Sequence, residues 1–156
     1  LEDWTNEMWD RTVALNLKMP FFFTQAAAPY LKASANPSIV FTSSTGAIKG
    51  HAGMSAYQAT KAALPGLARS LTAELGPAGV RINCVLPGWI ETPFNDPFWS
   101  YQRDPAERRT LIDAEIPLGR HGTPDEVASL VLLLTSSAGR YIAGTSIVVD
   151  GGYTAV

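Results

Sequence analysis

Ser44, Tyr57 and Lys61 are residues whose types and spacing can do chemistry, the tyrosine and lysine standing four positions apart. On a helix, residues at that interval stack on one face. An ammonium beside a phenol favours the phenolate and so lowers the phenol pKa. A phenol tuned downward acts as a general acid or base near neutral pH. Ser44, thirteen residues before Tyr57, offers a hydroxyl that can hydrogen-bond the same substrate oxygen. Taken alone, the Tyr-Lys pair equally suits a buried tyrosine with a lysine stem lying along it. The elements that carry the pair decide between these readings.

A β-like run, Ser38-Ile-Val-Phe-Thr-Ser-Ser44, delivers the serine, and a loop with Gly46, Gly50 and Gly53 follows it. Ile39 to Thr42 is nearly continuously apolar, as suits a strand buried on both faces of a parallel sheet. The spacing predicts a helix from Ala56 to about Gly76, with Leu64, Leu67, Ala68, Leu71 and Leu75 on one stripe and Gly76-Pro77 as its stop. Pro65 takes away the bond to the Lys61 carbonyl, which costs about 3 kcal/mol in an ordinary helix, so either tertiary packing absorbs the loss or the helix kinks one turn past Lys61. A second strand, Val80 to Leu86, ends at Pro87-Gly88. In α/β proteins the crevice outside the carboxyl ends of such strands is where nucleotides bind.

Upstream, Glu2 to about Leu17 reads as helix, with Trp4, Met8, Thr12 and Leu15 at intervals of three and four. Pro20 predicts a break, and a second helix runs from Phe21 to Lys32. Downstream, Ala106 to about Ala114 is a short helix. Thr123, Pro124 and Glu126 form a capping-box start for a helix to about Ser136. In it Val127, Leu130, Val131 and Leu134 face a core, and Thr145 to Asp150 is the last strand. The aromatic stretch from Trp89 to Pro105 holds Phe94, Phe98, Trp99 and Tyr101, and reads either as a substrate lid or as an oligomer contact or cover for the core. Its aromatic content hints at an apolar or ring-bearing substrate. Alternating strand and helix signals argue for an α/β parallel sheet, and 156 residues for a single domain spanning 1–156.

Composition narrows the function. The chain is 46% hydrophobic and 17% charged, with net charge −2, so it has no electrostatic footprint for nucleic acid or an anionic membrane. The longest apolar run, about Val127 to Leu134, is too short for a bilayer span. No leader peptide is expected, and the single Cys84 fits a reducing compartment, so the expected setting is cytoplasmic. Cys84 reads as a small buried hydrophobe. His51 and His121 read as surface histidines in loops, with no metal site.

Asn16 in Leu-Asn-Leu, Ser44, Tyr57-Gln-Ala-Thr-Lys61, Pro87-Gly88 and the closing Val149-Asp150-Gly151-Gly152 occur in this order. In these motifs the chain resembles the C-terminal half or more of a short-chain dehydrogenase/reductase, along essentially its whole length. The resemblance implies a Rossmann-like doubly wound parallel sheet whose N-terminal strands are missing from this chain. A Gly-rich phosphate turn after a first strand is expected upstream, and no G-x-G-x-x-G cluster opens the sequence. The chain then reads as the C-terminal portion of an NAD(P)-binding domain.

The resemblance also implies the chemistry: hydride transfer between NAD or NADP and an alcohol or ketone. It makes Tyr57 the acid/base and Ser44 the group that orients the oxygen. Lys61 tunes Tyr57 and binds the nicotinamide ribose, and Asn16 holds a water that relays protons to Lys61. Asn16 is otherwise an ordinary polar residue on a solvated helix face. Tyr57, Lys61, Pro87, Gly88, Ile90 and Thr92 are the implied cofactor contacts. A homo-oligomer, dimer or tetramer, is implied through the last strand and its preceding helix, and through the helices of Asn16 and Tyr57. The alternative is a truncated, non-catalytic fragment that serves only for folding or oligomerisation.

A serine hydrolase is disfavoured. Gly53-Met-Ser55-Ala-Tyr57 departs from G-x-S-x-G at its fifth position, and Gln58, not serine, lies three before Lys61. Hydride transfer needs no nucleophile, only a tuned acid/base and a placed cofactor.

Overall fold

A strand whose every residue is apolar or satisfied can be covered on both faces, and the run after Val80 becomes the middle of the sheet. A computed structural model describes residues 1–156. Strands β1 (Ser38–Thr42), β2 (Arg81–Pro87) and β3 (Ser146–Val149) form one three-stranded parallel sheet in that order. Ser38 pairs with Arg81 and Cys84 with Ser146. Arg81 through Leu86 are all buried. Ile82, Cys84 and Leu86 point to one face, where they join Phe41, Leu64, Ala68, Leu71 and Leu75 in the main core. The alternate residues serve the other face: Arg81 donates to Leu134 O, and Asn83 Nδ2 to Ile142 O.

Before the sheet come α1 (Asn6–Val13) and α2 (Met19–Lys32), joined by a π-helical segment, Ala14–Lys18. The helix starts later than its charge pattern suggests because Thr5 caps it, its hydroxyl taking the Met8 amide at 3.2 Å. The break expected at Pro20 does not occur. In the wider turn Met19 N–H bonds back to Ala14 O, and Pro20 falls at the start of α2, where a missing N–H costs little. A π-turn is how this helix passes a proline without stopping.

After β1 comes α3 (Ser55–Leu75), an unbroken helix of 21 residues with Pro65 inside it. Its buried stripe is Ala56, Thr60, Leu64, Ala68, Leu71 and Leu75, close to the predicted one, with Leu67 half-buried. Tertiary structure absorbs the loss at Pro65 through a donor from outside the helix. The Ser43 hydroxyl donates to Lys61 O at 2.7 Å, and Lys61 O is the acceptor that Pro65 cannot serve.

The chain after β2 forms α4 (Asp96–Ser100), α5 (Pro105–Glu115) and α6 (Pro124–Thr135). Thr123 and Glu126 form the capping box at the head of α6 as its sequence predicts. Most of the aromatic stretch is core cover rather than lid. Trp89, Phe98 and Trp99 pack on a second small core of Ile112, Ile116 and Tyr153, and only Phe94 and Tyr101 stay broadly exposed.

Candidate active site

At the carboxyl ends of β1 and β2 the chain leaving each strand, with one side of α6 (Val127, Val131), builds one cavity of about 950 Å³. Ser44 reaches it from just beyond β1, Tyr57 and Lys61 from the first turns of α3. Pro87, Gly88, Ile90 and Thr92 reach it from the end of β2 and the chain after it. The turn at Gly88 is fixed by crowding: a Cβ there would lie 2.7 Å from the Asp150 Cβ, and Gly88 N donates to Val149 O at 3.0 Å. Ile90 is held by a bridge to Gly122, and Asn95 Nδ2 donates to Ile90 O at 2.6 Å.

Lys61 is held at both ends by the last residues around β1. Its ammonium donates to Thr42 O at 2.8 Å, and its carbonyl accepts from Ser43. Sequence reasoning missed both partners. Only one clue existed, the proline four residues after Lys61, which announces an unserved carbonyl without saying what serves it.

Asn16 is placed differently. Its amide donates to Thr60 Oγ1 at 3.2 Å, and Thr60 Oγ1 donates to Tyr57 O at 2.7 Å. Asn16 therefore braces the back of the Tyr57 turn and is not among the residues lining the cavity. Pro20, four residues on, has no N–H to return to the Asn16 carbonyl.

The electrostatics correct one expectation. Burial pushes the Tyr57 phenol above its usual value rather than below it. The Ser44 hydroxyl opposes that rise, approaching the phenol without forming a full hydrogen bond to it. Lys61 is not among the causes of the shift; its ammonium donates to Thr42 O and stands 5.6 Å from the Tyr57 ring centroid. Burial lowers the Lys61 ammonium pKa, against a smaller upward pull from Cys84. Cys84 itself is fully buried, and that burial raises its thiol to about 11, so it is not a nucleophile.

Neither histidine is a surface residue, contrary to expectation. His121 is 3% exposed, and its Nδ1 meets Asp113 Oδ1 at 2.6 Å. Trp89 and Trp99 lie 5.9 and 5.7 Å from its ring, and its Nε2 has no hydrogen-bond partner. His51 is half-buried and lines the cavity beside Ser44 and Tyr57. Their partners lie too far off in the chain, or in too weak a pattern, for a single sequence to announce them.

The site's spare hydrogen-bonding capacity suits a nucleotide cofactor. Lys61 Nζ has three protons and spends one within the protein, and the Thr92 hydroxyl makes no internal hydrogen bond. Both groups line the cavity, where they could hold a hydroxyl-bearing and amide-bearing cofactor.

A family model described as enoyl-(acyl carrier protein) reductase matches residues 1–154. A 3-oxoacyl-[acyl-carrier-protein] reductase of Thermotoga maritima is 39% identical over 146 residues, covering 94% of this chain and 57% of the relative. Among solved structures, an aldohexose dehydrogenase of Thermoplasma acidophilum superposes with a TM-score of 0.94 at 32% identity, over 100% of this chain and 63% of that one. A 4-hydroxyisoleucine dehydrogenase complexed with NADH gives 0.90 at 27% identity, over 99% and 63%. The chain spans about half the length of the curated relatives it matches.

Proposed function

This chain belongs to the short-chain dehydrogenase/reductase family, and from that premise we propose that it transfers a hydride between NAD or NADP and an alcohol or carbonyl substrate. One observation carries the reading: Ser44, Tyr57 and Lys61 line a single cavity at the carboxyl ends of β1 and β2. We take residues 1–156 as one domain, the C-terminal portion of an NAD(P)-binding Rossmann-like domain.

Tyr57 holds the transferable proton at its phenol oxygen. Its burial keeps the phenol protonated at neutral pH, which suits delivery to a carbonyl oxygen during reduction. Ser44 Oγ orients that oxygen and shares the charge that develops on it. Lys61, fixed by Thr42 and Ser43, presents its remaining N–H groups to the nicotinamide ribose. Pro87, Gly88, Ile90 and Thr92 form the wall against the nicotinamide end. Asn16 holds the Tyr57 turn through Thr60, and only the family likeness supports giving it a place in a proton relay toward Lys61. When bound, the cofactor supplies or accepts the hydride. The close structural likeness to a dehydrogenase complexed with NADH supports the cofactor class.

A homo-oligomer, dimer or tetramer, in a cytoplasmic setting completes the reading. No helix is long and apolar enough to cross a membrane. The second reading, a folding or oligomerisation module without catalysis, is favoured by the exposed Phe22, Phe23 and Tyr30 of α2. Titration with NADH and NADPH, watched by tryptophan fluorescence, separates the two, since the module alone would leave the signal flat. Tyr57→Phe is expected to abolish ketone reduction while cofactor binding persists; unchanged turnover would refute the assignment.

A further inference from the structure

Resting on the oxidoreductase reading, we propose that His51 reads a second oxygen of the substrate. The substrate is then a hydrocarbon-bodied ketone or secondary alcohol that carries a second hydroxyl or carbonyl oxygen.

His51 shares the cavity wall with Ser44 and Tyr57. Its ring stacks on Tyr153 at 6.0 Å and 4°, and meets Trp89 edge-on at 6.1 Å and 79°. Tyr153 is a firm backing: it is 2% exposed and covered by the Lys49 ammonium 3.6 Å from its ring centroid. Lys49 Nζ also donates to Tyr153 O at 3.2 Å. A histidine clamped in this way has a set ring direction, as a reader of substrate shape requires.

The two ring nitrogens differ. Nε2 lies 3.5 Å from the Tyr153 hydroxyl, a long contact, and Nδ1 makes no hydrogen bond within the protein. A neutral imidazole has one N–H and one acceptor nitrogen, so in either tautomer Nδ1 can meet a ligand oxygen or hydroxyl. Burial, then Lys49, disfavours the charged imidazolium; Glu115 works the other way and Arg108 adds to Lys49.

The rest of the wall sets the substrate's body. Met54, Trp89 and Phe94 line the cavity beside His51, and the Phe94 ring lies 6.3 Å from that of Tyr57. Such walls take hydrocarbon, which they remove from water. Apart from Ser44, Tyr57 and Lys61, assigned to the reacting oxygen and the cofactor, His51 is the polar group that stands among these apolar side chains.

The test compares cyclohexanone with 2-hydroxycyclohexanone in the wild-type protein, His51→Phe and His51→Asn, with NADPH and NADH. His51→Phe keeps the aromatic stack and removes both nitrogens. It is expected to lower kcat/KM for the hydroxyketone about tenfold and leave cyclohexanone within about twofold, with His51→Asn recovering part of the loss. The second readout is the ¹⁵N shift of the His51 ring on titration with each ketone and with glucose, which needs no turnover. A shift with the hydroxyketone and none with cyclohexanone supports the proposal. Equal shifts, or equal losses on both ketones in His51→Phe, overturn it. Tyr57→Phe judges the underlying reading separately: persisting turnover there sinks the oxidoreductase assignment and leaves the His51 shift to stand or fall by itself.

Discussion

The Ser43 hydroxyl donates to the Lys61 carbonyl at 2.7 Å, so a side chain just past β1 replaces the helical donor that Pro65 lacks. The substitution of one donor for another couples the strand end to the turn that carries Tyr57 and Lys61. Ser43 is 3% exposed, so water has little access to serve the carbonyl in its place.

Removing that hydroxyl orphans the carbonyl. Ser43→Ala is expected to cost about 1–2 kcal/mol of stability, the typical penalty for an unmet acceptor. Adding Pro65→Ala returns an N–H to the helix, so Ser43→Ala should cost less in that background. Thermal unfolding of the four proteins measures the coupling; additive losses would mean the two residues do not share the carbonyl.

Arg81 poses a similar question at the other end of β2. It is 7% exposed, and no carboxylate pairs with it. Its guanidinium donates to Leu134 O at 2.5 Å, Gly139 O at 2.8 Å and Asn36 Oδ1 at 3.3 Å. The positive charge faces the negative end of α6 and serves carbonyls that the helix terminus leaves open. Arg81→Met keeps the stem and drops the donors, and is expected to cost about 2–4 kcal/mol. Urea denaturation checks this, and a loss under about 0.5 kcal/mol would show the carbonyls are served otherwise.

The head of α6 gives a pH prediction. Arg120 grips Glu126 with two hydrogen bonds, of 2.9 and 2.6 Å, and Thr123 N adds a third at 2.8 Å. The Arg120 hydrogen bond, then the Thr123 amide, hold the Glu126 carboxyl down to about 2. A carboxyl depressed on folding stabilises above its unfolded value and loses that contribution as pH falls toward the folded one. The midpoint of thermal unfolding should therefore fall between about pH 4.5 and pH 2 more steeply in the wild type than in Glu126→Gln. Parallel curves would show that Glu126 contributes nothing there.

What the sequence made legible follows from how local each signal is. The central strand was readable because Val80 to Leu86 is apolar with only Arg81 and Asn83 interrupting, and the Thr123 cap because its partners sit within three residues. Tyr57 and Lys61 were readable as a pair because helical geometry alone places them together. The π-turn was not, since Pro20 predicts a break on local grounds and only the Met19 to Ala14 bond removes it. His51 was not, because its stacking partner is Tyr153, 102 residues away. The sign of the Tyr57 shift was missed for the same reason. Spacing puts an ammonium near the phenol, but Thr42 O, nineteen residues back from Lys61, claims that ammonium.

That sign is testable in the protein without substrate. Burial raises the Tyr57 phenol, so tyrosinate should form there only above the ordinary range near 10. The difference in absorbance at the tyrosinate band between wild type and Tyr57→Phe isolates its titration from the other tyrosines. Lys61→Met should leave the curve almost in place, because burial, not the ammonium, sets it. Since folding raises this pKa, unfolding should also become easier as pH climbs past about 10, less so in Tyr57→Phe. Carbonyl reduction, which consumes the protonated phenol, should hold through neutral pH and fail only in alkaline solution. A tyrosinate that forms below the ordinary range, or that moves upward when Lys61 is removed, would restore the ammonium as the dominant influence.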